Sequence, residues 1–401
     1  MSSRISVIGL DGSPLSVETE KTLEQAEVVA GGRRHLEAAV IEPERAAMLE
    51  GDLSAAMPRL EKASSAAVLA SGDPGYFGIV RSLAERFGRE SLSVSPAVSS
   101  VALAFARAGI PWDDAVTVSA HGRDPRRAVN VCRAHPKVAV LTSPEFGPAQ
   151  LAECLRGEGW LRTLVVAERL GGPEERVFRG ASEEVAAMEW GEPNVVISLD
   201  EEREVGGKSW ISGPKRAGGW ALSEEKFEHR SSMITKPEPR ALALARLAPR
   251  PGDLVWDVGA GSGSVAVECA RLGAAAVAVE RDPESCERVR RNAYLHGSYV
   301  RVVEGEAPGA LENLPDPDAI FIGGTGGGFE ATVELCATRA RRTVVMTLIG
   351  IERVIPAGEI LESHGFEVET TLLQASKVRG VGHLHRLAAE TPVFVVAGSR
   401  A

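Results

Sequence analysis

A glycine motif in the second half of the chain has the spacing of a ligand-binding turn. In VWDVGAGSG, Asp257 is followed by Gly259, Gly261 and Gly263, directly after an apolar run and directly before a helix-like segment. Glycines let the chain turn tightly and let a ligand approach the backbone, and the helix that follows offers free N–H groups. The spacing differs from the G-x-G-x-x-G of dinucleotide-binding turns and suits the carboxypropyl end of S-adenosylmethionine.

Acidic residues follow the next two apolar runs. Glu280 comes about twenty residues after Asp257, where a carboxylate can accept hydrogen bonds from both ribose hydroxyls. Glu306 and Ala307 come after the third run and are predicted to lie near an adenine. The motif and the two acids in this order indicate an S-adenosylmethionine site. A doubly wound domain for another nucleotide is the alternative.

The fourth apolar run ends in a loop that has almost no side chains. Gly323, Gly324, Thr325 and Gly326 stand where the methyl acceptor binds in such a fold. Enzymes that methylate exocyclic amines of bases commonly carry Asn or Asp, two prolines and an aromatic residue at this place. The glycine-rich loop instead predicts a carbon nucleophile in a wide planar molecule, which the enzyme positions and shields from water. A sharp turn is the alternative for any single glycine.

The composition limits the classes of function. A chain of 401 residues is too long for one ordinary core, so two or three domains are expected. The net charge of −10 argues against general affinity for nucleic acid. Five scattered cysteines suggest neither a disulfide framework nor a metal site. No apolar run is long enough to span a membrane and the chain starts in a strand-like run, so we expect a cytoplasmic protein.

Short apolar runs alternate with helix-like segments over residues 1–200, which predicts an α/β domain with a largely parallel sheet. The clearest strand candidates are ISVIGL, AAVLA, VAVLT, TLVVAE and NVVISL. Residues 201–230 are rich in glycine and mixed charge and are predicted to be a linker. A second α/β pattern occupies residues 231–401 and ends in FEVETTLLQA and TPVFVVAG, which predict an antiparallel closing pair.

Residues 231–401 resemble the decarboxylating precorrin C-15 methyltransferases of cobalamin biosynthesis. The resemblance is carried by MITKPEPRALALARLAPRPGDLVWDVGAGSGSVAVE, GEAPGALENLPDPDAIFIGGTGG and TPVFVVAG. It implies a Rossmann-like class I methyltransferase fold, with Thr235 near the methionine end of S-adenosylmethionine and with Ala260 and Ser262 in the glycine turn. The family's usual TKREVR is TKPEPR here, so Pro237 and Pro239 replace two backbone donors.

The first 200 residues resemble the tetrapyrrole methylases, in particular the precorrin C-5 methylases. LASGDPGYFGI, GGRRHLEA and SVSPAVSSVALAFARAGIPWDDAVTVSAHGR carry this resemblance. It implies a two-lobed class III fold that binds S-adenosylmethionine in the cleft between the lobes. The implied contacts are Gly9, Gly72, Asp73, Pro74, Ser99 and Ser100. The first loop departs from the family's Gly-x-Gly-Pro-Gly, because Asp11 and Gly12 occupy its later positions.

The two resemblances in this order imply a bifunctional enzyme that uses one S-adenosylmethionine in each domain. The implied reaction methylates precorrin-6B at C-5 and C-15 and removes the ring C acetate as carbon dioxide, giving precorrin-8X. Both groups of relatives are typically multimeric, which implies a homo-oligomer. An RNA methyltransferase and a nonenzymatic nucleotide sensor are the alternatives, and the acidic charge and the glycine-rich acceptor loop count against the first.

A substrate with many carboxylates requires cationic side chains at its site. The candidates for the rim or for ring protonation in the second domain are Lys236, Arg240, Lys377, Arg379, His383 and His385, and those in the first are Arg33, Arg34, His35, His121 and Arg123. His383 and His385 are predicted to share one face of a strand. An ordinary solvated surface charge is the alternative for each of these residues.

Overall fold

Strands and helices alternate along most of the chain. The structure is a computed structural model that describes residues 4–49, 53–157, 159–203, 212–213, 218–230, 234–324 and 326–400. The elements of the first half are β1 (Ile5–Leu10), α1 (Val17–Gln25), β2 (Val28–Gly31), α2 (Arg33–Ala38), β3 (Ala46–Met48), α3 (Met57–Lys62), β4 (Ala66–Ser71), α4 (Val80–Phe87), β5 (Leu92–Ser95), α5 (Ser100–Ala108), β6 (Val116–Ser119), α6 (Pro125–Ala134), β7 (Lys137–Leu141), α7 (Pro148–Leu155), β8 (Thr163–Glu168), β9 (Arg176–Ala181), α8 (Ser182–Ala186) and β10 (Asn194–Leu199).

The first lobe is a parallel five-stranded sheet in the order β3-β2-β4-β1-β5. Its strands β1 and β4 are apolar runs that were predicted from the sequence, and their central residues are buried. Because all five strands are parallel, the loops after β1, β4 and β5 meet at one edge. That edge is where open α/β sheets bind ligands.

The second lobe is a mixed five-stranded sheet in the order β6-β7-β10-β8-β9. Only β6 and β7 are parallel, whereas β10 is antiparallel to both of its neighbours and β9 is antiparallel to β8. The prediction of a largely parallel sheet is therefore wrong for this lobe. The buried strands were recognised as apolar runs, but such runs carry no signal for the direction of pairing.

The second half contains a larger sheet and a separate two-stranded sheet. Its elements are α9 (Pro237–Leu247), β11 (Leu254–Val258), α10 (Ser264–Arg271), β12 (Ala275–Glu280), α11 (Pro283–Leu295), β13 (Arg301–Glu304), β14 (Ala319–Ile322), α12 (Phe329–Arg339), β15 (Thr343–Leu348), α13 (Ile351–Ser363), β16 (Glu367–Leu373), β17 (Ser376–Val381), β18 (Leu384–Ala389) and β19 (Val393–Ser399).

The seven-stranded sheet has the order β13-β12-β11-β14-β15-β19-β16. The strands β11 to β15 are parallel to one another, and β19 inserts antiparallel to both β15 and β16. The predicted antiparallel closing pair is confirmed. The chain runs outward from β11 to β13 and then crosses to β14, so the sheet reverses its strand order between β11 and β14. Ligands bind at the carboxyl ends of strands at such a reversal.

The two prolines of TKPEPR lie in the first turn of α9. Pro237 is the first residue of the helix, with Lys236 before it, and Pro239 follows two positions later. The first N–H groups of a helix have no partner within the helix, so proline costs little there and its fixed φ suits the start. The departure from the family pattern is therefore compatible with the local backbone.

The second lobe packs against the amino ends of the strands in the large sheet. Trp160 is buried in the same core as Trp256 of β11. The Asn130 side-chain amide donates to the Gly252 carbonyl at 3.1 Å, just before β11. Tyr299, just before β13, donates through its hydroxyl to the Gly159 carbonyl. This interface lies at the opposite end of the strands from the glycine turn.

Residues 218–230, within the predicted linker, pack on the second domain. The backbone N–H groups of Ala221 and Leu222 donate to the Glu268 carboxylate at 2.6 and 3.0 Å, and Phe227 is buried. Residues 204–211 and 214–217 of that segment lie outside the described residues. None of the helices that the structure describes is long and apolar enough to cross a membrane.

Candidate functional sites

The glycine turn after β11 and the glycine-rich loop after β14 touch each other. Gly259 has a φ of +71°, and a Cβ atom there would lie 2.3 Å from the Gly324 carbonyl oxygen. A Cβ atom on Gly323 would lie 2.9 Å from the Gly259 carbonyl oxygen. Glycine is required at both positions because backbone meets backbone. The two loops together form the floor of a cavity at the reversal of strand order.

Glu280 at the end of β12 fixes the geometry of the glycine turn. Its Oε2 atom accepts a hydrogen bond from the Gly261 N–H at 2.8 Å, and its Oε1 atom accepts from the N–H groups of Arg281 and Asp282 at 2.9 and 3.1 Å. A carboxylate has about four lone-pair sites. The side chain can therefore hold the turn and still accept hydrogen bonds from ligand hydroxyls.

Asp257 is buried beneath the turn. Its exposure is 1%, and its Oδ2 atom accepts a hydrogen bond from the Ala266 N–H at 2.9 Å in the first turn of α10. Burial raises the pKa of this carboxyl to about 7, and the negative charge of Glu280 acts in the same direction. Asp257 thus joins the end of β11 to the start of α10 and does not face the cavity.

The cavity is lined by the residues that the sequence placed around a nucleoside and a methyl acceptor. The residues that were predicted and that line it are Gly259, Glu280, Glu306, Ala307, Gly324 and Gly326. Arg281 also lines it and was not predicted; its guanidinium donates to Glu306 at 2.9 Å. Its place directly after Glu280 at a strand end was the available signal. Thr325 lies outside the described residues.

Other predicted residues support the turn from behind or lie beside it. Ser262 is 3% exposed, and its carbonyl accepts from the Asn292 side chain at 2.8 Å. Gly263 packs against Val289. Ala260 packs against the core cluster that contains Ile234, the neighbour of Thr235. Thr235 is partly exposed and does not line the cavity.

The prediction that Arg240 belongs to a cationic rim is wrong. Its exposure is 0%, and its Nε atom donates to Glu268 at 2.8 Å, with further donation to the Thr235 carbonyl at 2.7 Å. Glu268 is itself 1% exposed at the side chain. A guanidinium that is satisfied by buried partners is not available to a substrate carboxylate. Arg240 instead ties α9 to α10.

Lys236 and Lys377 meet around one carboxylate. Lys236 Nζ lies 2.5 Å from Glu224, and Lys377 Nζ lies 3.9 Å from the same side chain and 3.5 Å from Glu238. This pairing lowers the pKa of the Glu224 carboxyl although partial burial opposes the shift. The two lysines are partly exposed, so a carboxylate-bearing ligand can compete for them.

The two histidines do not share a strand face. His383 lies in the turn between β17 and β18, and His385 lies on β18 opposite Gly380. Both are exposed, as is Arg379 on β17, and none of them lines the cavity at the glycine turn. The prediction of one common face is wrong because the hairpin turns at His383.

A second glycine-lined contact lies at the carboxyl edge of the first lobe. A Cβ atom on Gly9 in β1 would lie 2.0 Å from the Gly72 carbonyl oxygen and 2.6 Å from the Ala97 nitrogen. Gly72 has a φ of +58°, and its own Cβ would lie 3.0 Å from the Ser99 Cα. The loops after β1, β4 and β5 are therefore in backbone contact. Pro74 lies beside Gly9 in the same contact.

A cavity of about 480 Å³ opens beside this contact. Of the predicted residues, Gly9 lines it, together with Asp11, Ser13 and the segment 96–98. Hydrogen bonding from Ser13 lowers the pKa of the Asp11 carboxyl. Asp11 also lies where the two lobes meet, because the Gly12 backbone lies against Gly171 of the second lobe. The lining residues Ser13 and 96–98 were not predicted.

The other predicted residues of this edge shape its loops. Asp73 Oδ1 accepts from the Gly75 N–H at 2.8 Å, which makes a tight turn. Ser99 caps α5 by accepting from the Ala102 N–H at 3.1 Å, and Ser100 is the first residue of that helix. These side chains are occupied locally, and none of them lines the cavity of about 480 Å³.

The cationic residues of the first lobe follow β2 at the same edge. The Arg34 guanidinium and His35 Nε2 both contact the Ser71 hydroxyl, the latter at 3.1 Å. Burial, with a contribution from Arg34, lowers the pKa of His35 to about 4, so this histidine is neutral near pH 7. Arg33 is exposed, as are His121 and Arg123 after β6 in the second lobe.

Within the part of the chain that the structure describes, no group of three or more His, Cys, Asp or Glu side chains is placed to hold a metal ion. The charged groups that line the two cavities are the carboxylates of Asp11, Glu280 and Glu306 and the guanidinium of Arg281. Both cavities have glycine floors that a flat or extended ligand can approach closely.

Comparison with known families agrees with this geometry. Residues 8–186 match the family described as Tetrapyrrole (Corrin/Porphyrin) Methylases, and residues 225–399 match the family described as Precorrin methyltransferase domain. These matches confirm the predicted fold class, a tetrapyrrole methylase domain followed by a methyltransferase domain.

Named relatives cover either most of the chain or about half of it. The chain is 38% identical over 372 residues to a precorrin-6Y C(5,15)-methyltransferase (decarboxylating) from a Sinorhizobium species, covering 87% of this chain and 85% of that protein. It is 32% identical to a probable cobalt-precorrin-6B C(15)-methyltransferase (decarboxylating) from Pyrobaculum calidifontis, covering 44% and 93%. It is also 32% identical to a cobalt-precorrin-7 C(5)-methyltransferase from Salmonella typhimurium, covering 49% and 99%. The chain belongs to the family of the decarboxylating precorrin-6Y C(5,15)-methyltransferases.

Proposed function

We propose that this chain methylates precorrin-6B at C-5 and C-15 and removes the ring C acetate as carbon dioxide, giving precorrin-8X in cobalamin biosynthesis. The observation that carries the proposal is the contact between the glycine turn at Gly259 and the side-chain-free loop at Gly323 and Gly324. A cofactor on the first and a flat acceptor on the second would lie close together. The family membership supports the same reaction.

The proposed chain has two domains and a connecting segment. Residues 1–200 form the tetrapyrrole methylase domain, residues 201–230 connect the domains, and residues 231–401 form the class I methyltransferase domain. The matched ranges 8–186 and 225–399 support this division. The end of the connection already belongs structurally to the second domain, because Leu222 and Phe227 pack on it.

The residues at both cavities fit S-adenosylmethionine, one molecule in each domain. In the second domain, Glu280 has lone pairs left for ribose hydroxyls, and the turn at Gly259 leaves no Cβ atom above it. In the first domain, Gly9 and Gly72 offer an equivalent bare floor beside the cavity of about 480 Å³. When bound, the cofactor supplies an electrophilic methyl group on a sulfonium. The side chains place that group and exclude water.

The acceptor loop positions the macrocycle and supplies no general base. Gly323 donates its N–H to the Val258 carbonyl at 2.8 Å, which fixes the loop on the glycine turn. The described glycines present no side chain that could remove a proton, and a meso carbon of the macrocycle is nucleophilic without one. The conjugated ring can also take up the electron pair that decarboxylation releases. Methylation of the meso C–H at C-15 releases one proton and the carbon that loses the carboxyl gains one, so the two steps need no net proton and alignment is the main contribution of the protein.

The single-domain relatives support an assignment of one reaction to each half. Each relative is covered almost completely by about half of this chain, and one is named for C(15) methylation with decarboxylation, the other for C(5) methylation. We place the C-15 reaction in residues 231–401 and the C-5 reaction in residues 1–200. Their names give cobalt-precorrin-6B and cobalt-precorrin-7 as the compounds that they methylate, and the order of these numbers favours C-15 methylation as the earlier step.

Cationic side chains of each domain meet the carboxylates of the macrocycle. Lys236 and Lys377 serve the second domain, because Glu224 holds both of them and a substrate carboxylate can replace it. Arg33, Arg34, His121 and Arg123 serve the first, following the carboxyl ends of β2 and β6. His383 and His385 are kept as candidates for the rim only, since they lie on an exposed hairpin.

The hairpin of β17 and β18 is the surface for self-association. Val378, Val381, Leu384 and Leu387 are each more than half exposed on this two-stranded sheet, which pairs with no strand of the large sheet. Such apolar exposure fits burial against a second copy. Serine at Leu384 and Leu387 is expected to lower the mass measured by light scattering, and an unchanged mass would exclude the hairpin.

A cytoplasmic location completes the proposal. None of the five cysteines forms a disulfide, and four of them are buried. This arrangement fits a reducing compartment. Fractionation of the source cells, with detection of the chain in the cytoplasmic fraction, is the corresponding measurement.

Mass spectrometry of the reaction tests the proposed function. Purified protein with precorrin-6B and S-adenosylmethionine is expected to add two methyl groups and to release one carbon dioxide. A Gly261→Arg variant, which places a long side chain at a φ of +57°, is expected to add at most one methyl group and to keep the carboxyl. An unchanged macrocycle with the wild-type protein, in both its metal-free and its cobalt form, would contradict the proposal.

A further inference from the structure

An exposed aromatic pair follows the Gly72–Pro74 segment. Tyr76 and Phe77 lie between β4 and α4, and 37% and 48% of their surfaces are exposed. Their rings meet edge to face, with centroids 5.0 Å apart and planes at 82°. The pair thus stands at the carboxyl edge of the first lobe, where the loops of the cleft meet.

The backbone holds Phe77 in an unusual conformation. Its φ is +54°, a region that bulky residues rarely occupy. The loop around it is closely tied, because Tyr76 N–H donates to the Asp73 carbonyl at 3.1 Å and Val80 N–H to the Pro74 carbonyl at 3.2 Å. A strained residue that its surroundings hold in place is typical of functional sites. The strained conformation therefore holds an aromatic side chain that is exposed to solvent.

A cation from the opposite lobe lies over one face of this ring, which stays 48% exposed. The guanidinium carbon of Arg123 lies 5.9 Å from the centroid of the Phe77 ring. Arg123 lies in the loop between β6 and α6 of the second lobe, whereas Phe77 belongs to the first. The contact therefore bridges the two lobes. It combines an aromatic face with a positive charge, which is the pairing that a flat, conjugated polycarboxylate requires.

We propose that Phe77 and Arg123 form the binding platform for the macrocycle at the C-5 methylation site. One ring of the macrocycle stacks on Phe77, and a peripheral carboxylate pairs with Arg123. This inference rests on the proposed function of the first domain. It assigns substrate recognition to a residue outside the cofactor contacts that the sequence predicts.

The test uses the full chain and a macrocycle that is already methylated at C-15 and decarboxylated. Phe77→Ala is expected to raise the KM for this macrocycle in the C-5 reaction by about 10-fold or more, since stacking on an aromatic ring contributes that much in comparable sites. Phe77→Tyr is expected to stay within about twofold of wild type. Arg123→Gln is expected to raise the same KM.

Two readouts separate substrate binding from a structural role. The affinity of the first domain for S-adenosylmethionine and the C-15 reaction on precorrin-6B, catalysed by the same chain, are expected to remain unchanged. Tyr294→Ala, which removes an exposed aromatic ring from α11, serves as the matched control. Phe77→Asn keeps the test available if the alanine variant folds poorly, because asparagine tolerates a positive φ.

A KM within twofold of wild type in both Phe77→Ala and Phe77→Asn would overturn the platform. An equal loss of S-adenosylmethionine affinity would also overturn it, because Phe77 would then serve the cofactor or the loop. A wild-type chain that does not methylate the macrocycle at C-5 would overturn the proposed function of the first domain, and the platform with it. The wild-type measurement therefore distinguishes the two failures.

Discussion

Asp257 illustrates how position changes the chemistry of a single residue. In the sequence it begins a glycine motif, and in the structure it is 1% exposed and accepts a hydrogen bond from the Ala266 N–H at the start of α10. The hydrogen bond from Ala266 favours the charged form, whereas burial opposes it more strongly, so the pKa of the carboxyl rises to about 7. Its role is to hold the glycine turn.

The raised pKa of Asp257 predicts a specific dependence of stability on pH. The folded state binds the proton more tightly than the unfolded state, so the stabilisation is complete below about pH 4 and is lost as the pH rises to about 7. The loss is on the order of 4 kcal/mol at 1.36 kcal/mol for each pKa unit. Urea unfolding at several pH values should show this decline in wild type relative to Asp257→Asn. Parallel curves for the two proteins would contradict it.

The helix α9 is held by a buried ion pair. Arg240 on this helix and Glu268 on α10 are almost fully buried, and Glu268 also accepts from the backbone of Ala221 and Leu222. The pair therefore connects α9, α10 and the segment that precedes the second domain. Its removal affects the packing of three elements and leaves the cavity residues in place.

Arg240→Met is expected to destabilise the protein by about 3 to 5 kcal/mol, because it leaves the Glu268 charge buried without its partner. The KM of the folded variant for the macrocycle should be unchanged. Arg246→Met on the same helix removes an exposed pair with Glu369 and is expected to cost about 1 kcal/mol or less. Denaturant unfolding of the two variants makes the comparison, and similar losses in both would refute the buried-pair account.

The sequence predicted those elements whose signal is local. β1, β8 and β10 were found with their full bounds because each is an apolar run flanked by turn residues. The direction of pairing in the second lobe was missed, since a buried strand looks the same in parallel and antiparallel sheets. The burial of Arg240 was also missed, because its partner Glu268 lies 28 positions away in the sequence. Contacts of that kind depend on the tertiary fold.

The whole molecule keeps its two cavities apart. The second lobe contacts the amino ends of β11, β13 and β14, at Gly252, Tyr299 and Asp318. The second cavity lies at the carboxyl ends of the same strands. Seven residue steps from Gly252 to Gly259 correspond to roughly 20 Å. The two cavities share no lining residue, and the large sheet separates the second from the domain interface.

This separation predicts that the intermediate leaves the protein between the two methylations. During a reaction with precorrin-6B, rapid ultrafiltration should recover a decarboxylated macrocycle with one added methyl group in the filtrate. When the precorrin-6B carries an isotopic label, a large excess of the unlabelled intermediate should dilute the label in the final product. A filtrate that contains only substrate and final product, with no dilution of label, would indicate direct transfer and contradict the predicted separation.

The most direct measurement of the central claim is the product mass formed by two single-site variants. Gly259→Ala places a Cβ atom 2.3 Å from the Gly324 carbonyl oxygen, and Gly9→Ala places one 2.0 Å from the Gly72 carbonyl oxygen. Gly297→Ala, at a positive φ like Gly259 but with open space around the added Cβ, controls for backbone strain in the Gly259→Ala variant. We expect Gly259→Ala to lose C-15 methylation and decarboxylation while it still methylates an intermediate at C-5. Gly9→Ala should convert precorrin-6B only as far as the singly methylated, decarboxylated compound. Loss of both methylations in each folded variant would contradict the account of two independent sites.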